Sequence, residues 1–143
     1  VVGEGVPAEA RGYAERLELL GGPWHLGLNV LHWGRFCGQR HGFVWIAWEG
    51  RINRSWCFLD GLPRTGLRAD PPSCVQAQDL RLDMFRQESL VDASIGRSIG
   101  PTALPGAAGR FLTGRERKWT TLGRLTGDIE DTGHVLCEVV QWH

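Results

Sequence analysis

"HWGRFCGQRHGFVWIAWEG", residues 32–50, decides how this chain is read. Aromatic and β-branched residues crowd it, and the Gly38-Gln39 pair interrupts it near the middle. Such residues favour extended backbone. A turn this short between two extended runs joins them as an antiparallel hairpin. Apolar residues alternate or run continuously instead of recurring at three and four residues, so neither arm reads as a helix. Successive side chains of a strand leave opposite faces, which sends Trp45 and Trp48 to opposite sides of a sheet.

The same signal repeats outward from this hairpin. Twenty glycines and seven prolines cut the chain into short segments rich in Val, Ile, Trp, Phe and Thr. Strands are predicted over residues 11–20, 26–37, 41–49, 53–60, 79–86, 89–95, 117–127 and 133–142. Turn-like pairs such as Glu49-Gly50 and Asp60-Gly61, and the triplet Asp131-Thr132-Gly133, join antiparallel neighbours. The stretch "SLVDASIGRSIG" (89–100) is ambiguous between strand and helix. The segments 62–73 and 101–109 read as loops, the first with room for a short irregular edge strand. Eight strands suit an all-β, closed or nearly closed antiparallel barrel, since closure removes the unpaired edges that many short strands leave.

A length of 143 residues with 42% hydrophobic content fits one domain with one core. Sixteen cationic and sixteen anionic side chains cancel, which leaves no basic surplus for a nucleic-acid backbone or an anionic membrane. No run reaches the length of a membrane-spanning helix. Cys37, Cys57, Cys74 and Cys137 lack Cys-x-x-Cys spacing, so the expectation is no metal site and four reduced thiols in a cytoplasmic protein. No phosphate loop, dinucleotide fingerprint or nucleophile elbow is present, and no cofactor is expected.

Three patches carry a resemblance: "GYAE" (12–15), "WGRF" with "VWIAW" and "RSWCFLDG" (within 33–61), and "GRERKWTTLGRL" with "GHVLCEVVQWH" near the end. Together the chain resembles the lipocalin-like proteins related to carotenoid 1,2-hydratases, tocopherol cyclases and attachment-associated hydrolase-like proteins. The resemblance implies a calycin-type barrel holding an isoprenoid- or polyketide-like molecule. It extends over the C-terminal barrel of proteins that often carry two in tandem. With Val1 in place of an initial methionine, the expectation is one half of a two-barrel protein, or else a barrel that pairs as a homodimer. Where better-known members carry a His-Asp-His-Asn-Trp-Gly-like motif, this chain reads "NVLHWG" and keeps His32, Trp33 and Gly34.

Chemistry is expected from a few ionisable groups. In a closed up-and-down barrel the first and last strands are neighbours, which would bring Glu15 and Glu138 together. Two close carboxylates split their titrations and leave one as a general acid. Such a donor suits hydration, cyclisation or isomerisation, with Glu138 as acid, Glu15 as its partner and His32 positioning water or a substrate oxygen. Arg35 and Lys118 set the charge, and Trp33, Trp45, Trp48 and Tyr13 line the substrate. The competing reading makes the charged residues an internal ion-pair cluster, with Arg35 or Lys118 clamping a glutamate. The protein would then be a non-catalytic lipid-binding module, or a structural barrel that docks a partner domain.

Overall fold

The computed structural model describes residues 25, 27–96 and 113–142. The expected first strand (11–20), with Tyr13 and Glu15, and the loop at 101–109 lie outside the described residues.

Nine strands form one antiparallel sheet: β1 (Leu28–Gly38), β2 (Gly42–Gly50), β3 (Arg54–Leu59), β4 (Leu62–Arg64), β5 (Arg68–Asp70), β6 (Cys74–Ala77), β7 (Leu80–Ser94), β8 (Arg115–Gly127) and β9 (Asp131–Gln141). The order across the sheet is β4-β3-β2-β1-β9-β8-β7-β6-β5. Two meanders, β1 to β4 and β5 to β9, are therefore joined along the β1–β9 ladder, which runs from Val30↔Gln141 to Gly38↔Gly133.

The sheet is a curled half-barrel, and among the described residues it does not close. Of the expected closed or nearly closed barrel, full closure is not reached, since β4 and β5 each have one neighbour. Pro63 in β4 offers no N–H for a further ladder. Two segments expected as separate strands, 79–86 and 89–95, are one strand, β7. Ladder irregularities between Phe85 and Glu88 and between Ser89 and Val91 absorb the extra residues, and Arg86 takes a φ of 55° there. A bulge bends a strand without ending its pairing. The ambiguous stretch from Ser89 is strand as far as Ser94. The segment 62–73 carries the two short edge strands β4 and β5.

Curling creates one core on the concave face. Cys57 and Leu59 of β3 share a buried cluster with Val75 and Ala77 of β6, although five strands separate β3 from β6 in the sheet. Phe36, Phe43, Trp45, Leu82, Leu125 and Val135 fill the space between them. Trp45 lies flat against Gly34, so that a Cβ on Gly34 would collide with its indole, and Phe43 stacks on Trp45 at 5.7 Å between ring centres. The missing side chain at Gly34 lets the curl tighten around a tryptophan.

Asp131 pins one end of the β1–β9 ladder. Its carboxylate accepts backbone N–H bonds from Gln39 (3.2 Å), Arg40 (2.8 Å), His41 (2.8 Å) and Thr132 (2.9 Å). Arg40 also donates from Nη2 to the Glu130 carbonyl at 2.8 Å. Asp131 thus opens β9 instead of sitting in the expected Asp131-Thr132-Gly133 turn, which moves to residues 128–130. Burial pushes the Asp131 carboxyl up, but the four donors outweigh it and hold it below the usual carboxylate range. At the next hairpin, Asp60 accepts the Gly42 N–H and meets His41 Nδ1 at 2.7 Å. The positive φ values of Asp60 (51°) and Gly61 (80°) make the expected tight turn.

Two outcomes follow from this packing. Gly34→Ala is expected to cost about 2 kcal/mol, the range of an overpacked core, read as a lower urea midpoint. Asp131→Asn is expected to cost about 2–3 kcal/mol, since it removes a charged acceptor from several donors. Because the folded pKa of Asp131 is depressed, its contribution is full above the ordinary carboxylate range and lost as pH falls through the folded value. The gap between wild type and Asp131→Asn should therefore narrow in urea melts at acid pH.

Candidate functional site

The ladder registers sort the expected site residues onto two faces. His32 and Trp45 belong to the concave side, and Trp33, Arg35, Trp48, Lys118 and Glu138 to the convex side. Trp45 is fully buried in the core, while Trp48 packs edge-on against Trp56 with ring centres 4.9 Å apart.

On the convex side Lys118 stands directly across from Glu138, which in turn stands across from Trp33. The Lys118 ammonium lies 3.0 Å from Glu138 Oε2 and 3.0 Å from Glu116 Oε1, and all three side chains are less than a third exposed. Burial lowers the lysine pKa, but its hydrogen bonds to both glutamates and their negative charge more than compensate and leave it raised. The only lysine in the chain is thus a charged clamp between two carboxylates, the geometry that the ion-pair reading of the sequence calls for.

His32 lies elsewhere, at the open end of the concave side. Pairing His32 with Ala47 and Ala47 with Ser55 puts the three in one row across β1, β2 and β3. Glu49, two residues beyond Ala47, is on the same face and approaches His32 Nε2 at 3.5 Å. The other ring nitrogen, Nδ1, is buried without a hydrogen-bond partner. Across from this row stand Leu67 and Ala69, brought over by the curl, and the gap is a cleft of about 260 Å³ that the expected Trp48 and also Asn53 and Arg54 line.

Such an arrangement has definite chemical capacity. A carboxylate beside one ring nitrogen orients an imidazole, an arrangement that recurs where histidine moves protons. The buried, unpartnered nitrogen is the costly part, because a polar atom removed from water loses its hydrogen bond unless another partner arrives. The cleft sets that polar point among apolar Ala47, Leu67 and Ala69 and polar Glu49, Asn53, Arg54 and Ser55.

Glu49, Ser55, Leu67 and Ala69 were not among the residues singled out in the sequence. Glu49 was within reach, since the hairpin register makes it a diagonal neighbour of His32. Leu67 and Ala69 come from the opposite edge of the sheet, and no local pattern signals their approach. Among the described residues no group of three His, Cys, Asp or Glu side chains converges on a metal position, and no helix is long and apolar enough to cross a membrane. No protein-family model matches the chain, and no curated protein matches it.

Lys118→Met is expected to destabilise the fold by about 1–2 kcal/mol at neutral pH, because two half-buried carboxylates lose their shared cation. Thermal melts should show the loss at neutral pH and its disappearance at strongly alkaline pH. With its folded pKa raised, the lysine's own contribution is complete below the ordinary lysine range and disappears as pH climbs through the folded value.

Proposed function

We propose that this chain is a lipocalin-like half-barrel that binds a small hydrophobic molecule of isoprenoid or polyketide type in the His32 cleft. His32, oriented by Glu49, is the proton-handling group, suited to acid-assisted hydration, cyclisation or isomerisation. One observation carries the reading: an imidazole with a carboxylate on one nitrogen and an unsatisfied, buried nitrogen on the other lines a cleft where Trp48, Leu67 and Ala69 supply apolar wall beside the polar Asn53, Arg54 and Ser55. A small ligand that joins a hydrocarbon part to polar groups matches that surface. The cleft volume suits one small molecule at a time.

Glu138 enters this proposal differently from His32. Clamped by Lys118 on the convex side, it supports the sheet, and the acid role passes to the imidazole. Four free thiols support a reducing compartment such as the cytoplasm. The same cleft also fits a binding module without turnover, since the Lys118 cluster is an ion-pair network of the kind that reading expects.

Farnesol, an isoprenoid alcohol, serves as the probe. Heteronuclear NMR titration should move the resonances of His32, Ala47, Ser55 and Ala69 together. Ala69→Trp, which fills the gap from its far wall, should abolish the effect. His32→Leu should weaken binding about tenfold, the equivalent of one buried hydrogen bond. Perturbations confined to other residues, or binding unchanged in Ala69→Trp, would refute the site. Product formed by wild type and not by His32→Gln, with binding retained, separates catalysis from simple binding.

A further inference from the structure

A second row crosses the sheet at the other end of β1, on the convex face. Phe85 of β7 pairs with Leu122 of β8, Leu122 with His134 of β9, and His134 with Cys37 of β1. The row continues to Gly42 of β2, where no side chain stands and a Cβ would meet nothing closer than 4.0 Å. These four side chains line a cleft of about 380 Å³. Directly opposed residues on one face of an antiparallel pair have their Cβ atoms about 5 Å apart, so a change of side-chain rotamer is enough to bring the thiol to the imidazole. Phe85 is 44% exposed, which makes the far end of the cleft an accessible apolar wall. Cys37 and His32 are five residues apart and on opposite faces, about 16 Å along the strand. The row is therefore independent of the His32 cleft.

We infer that Cys37 and His134 form a thiol–imidazole site that captures apolar α,β-unsaturated carbonyl compounds covalently, with Leu122 and Phe85 as the track for the hydrocarbon part. In the reaction the Cys37 thiol proton passes to the His134 ring and the sulfur forms a bond to the β-carbon. The carbon–carbon π pair moves to give an enolate at the carbonyl oxygen. The imidazolium then returns the proton to the α-carbon. The net change adds S–H across the double bond, with no oxidant or reductant required. His134 is a catalytic residue here because it exchanges a proton with the reacting atoms.

The other cysteines supply internal controls. Burial pushes the Cys137 thiol up to about 11, and raises that of Cys57 although the nearby Arg64 charge opposes it, so both are poor nucleophiles. Cys74 is partly exposed like Cys37, but the residue opposite it is Asp83, a poor partner for a thiolate.

The test is competitive modification of the intact chain by cinnamaldehyde and by acrolein, which carries the same reactive group without the aryl body. Labelling of each cysteine is followed by peptide mass spectrometry. Cys37 should react at least about tenfold faster than Cys74, the low end of what a positioned base contributes. His134→Gln should remove that advantage while the Cys74 rate in the same sample stays fixed, which guards against a general change in folding. Leu122→Ser and Phe85→Ser should erase the preference of Cys37 for cinnamaldehyde and leave acrolein addition intact. Equal rates at Cys37 and Cys74, or a Cys37 rate indifferent to His134→Gln, would overturn the assignment, whatever farnesol does at the other cleft.

Discussion

The β1–β9 ladder is the constraint on which the rest of the molecule depends. It is the hydrogen-bonded junction between two meanders that each pair only with their sequence neighbours. Both of its ends are fastened: Asp131 gathers the N–H groups of residues 39–41 at one, and the Trp142 N–H donates to the Asn29 carbonyl at 2.8 Å at the other. A slip of one residue would turn every side chain of one meander to the wrong face. It would also part Cys37 from His134 and Trp33 from Glu138, so the fastening sets the chemistry as well as the fold.

Curl follows from what the junction brings together. Gly34 and Gly123 lie on the concave side near the middle of the sheet, each beneath large neighbours: the Trp45 indole over Gly34, and Val135, Leu82 and Phe36 over Gly123. With backbone in place of side chain there, the aromatic layer sinks toward the sheet and the flanking strands β3 and β6 meet over it. The His32 cleft is what remains open where the closure is incomplete. Tight packing at the centre and an unsatisfied imidazole at the rim are two results of one geometry.

Much of this was legible in the sequence, and its failures have physical causes. The hairpin at 32–50 was readable because Gly38 and Gln39 sit between runs of strand-forming residues, and its register fixes the faces of Trp45 and Trp48. Strand β6 escaped because four residues beside Pro71 and Pro72 carry too little pattern to separate them from loop. Strand β7 was divided because a bulge at Arg86 looks, in one dimension, like a turn. Strand number points to a closed or nearly closed barrel, but number does not decide whether two edges meet. The ion-pair reading leaves open whether Arg35 or Lys118 clamps a glutamate, and which one; in the structure Lys118 meets Glu138 across the ladder and Glu116 through the two-residue alternation along β8. The cleft around His32 was only half visible, since its far wall is assembled by curvature, a property of the whole sheet.

The link between the meanders, residues 65–67, has a different character from the junction. It is short and largely exposed, and it turns at Gly66 with a φ of 70°. Covalent continuity at that point therefore contributes little to the register, which is set by a ladder formed elsewhere. A chain severed at Gly66 has the surfaces needed to reassemble from its two pieces, and two crowded copies can trade halves, each lending its C-terminal meander to the other's N-terminal one. New termini, an inserted reporter or a circularly permuted version of the protein would find their most forgiving position there.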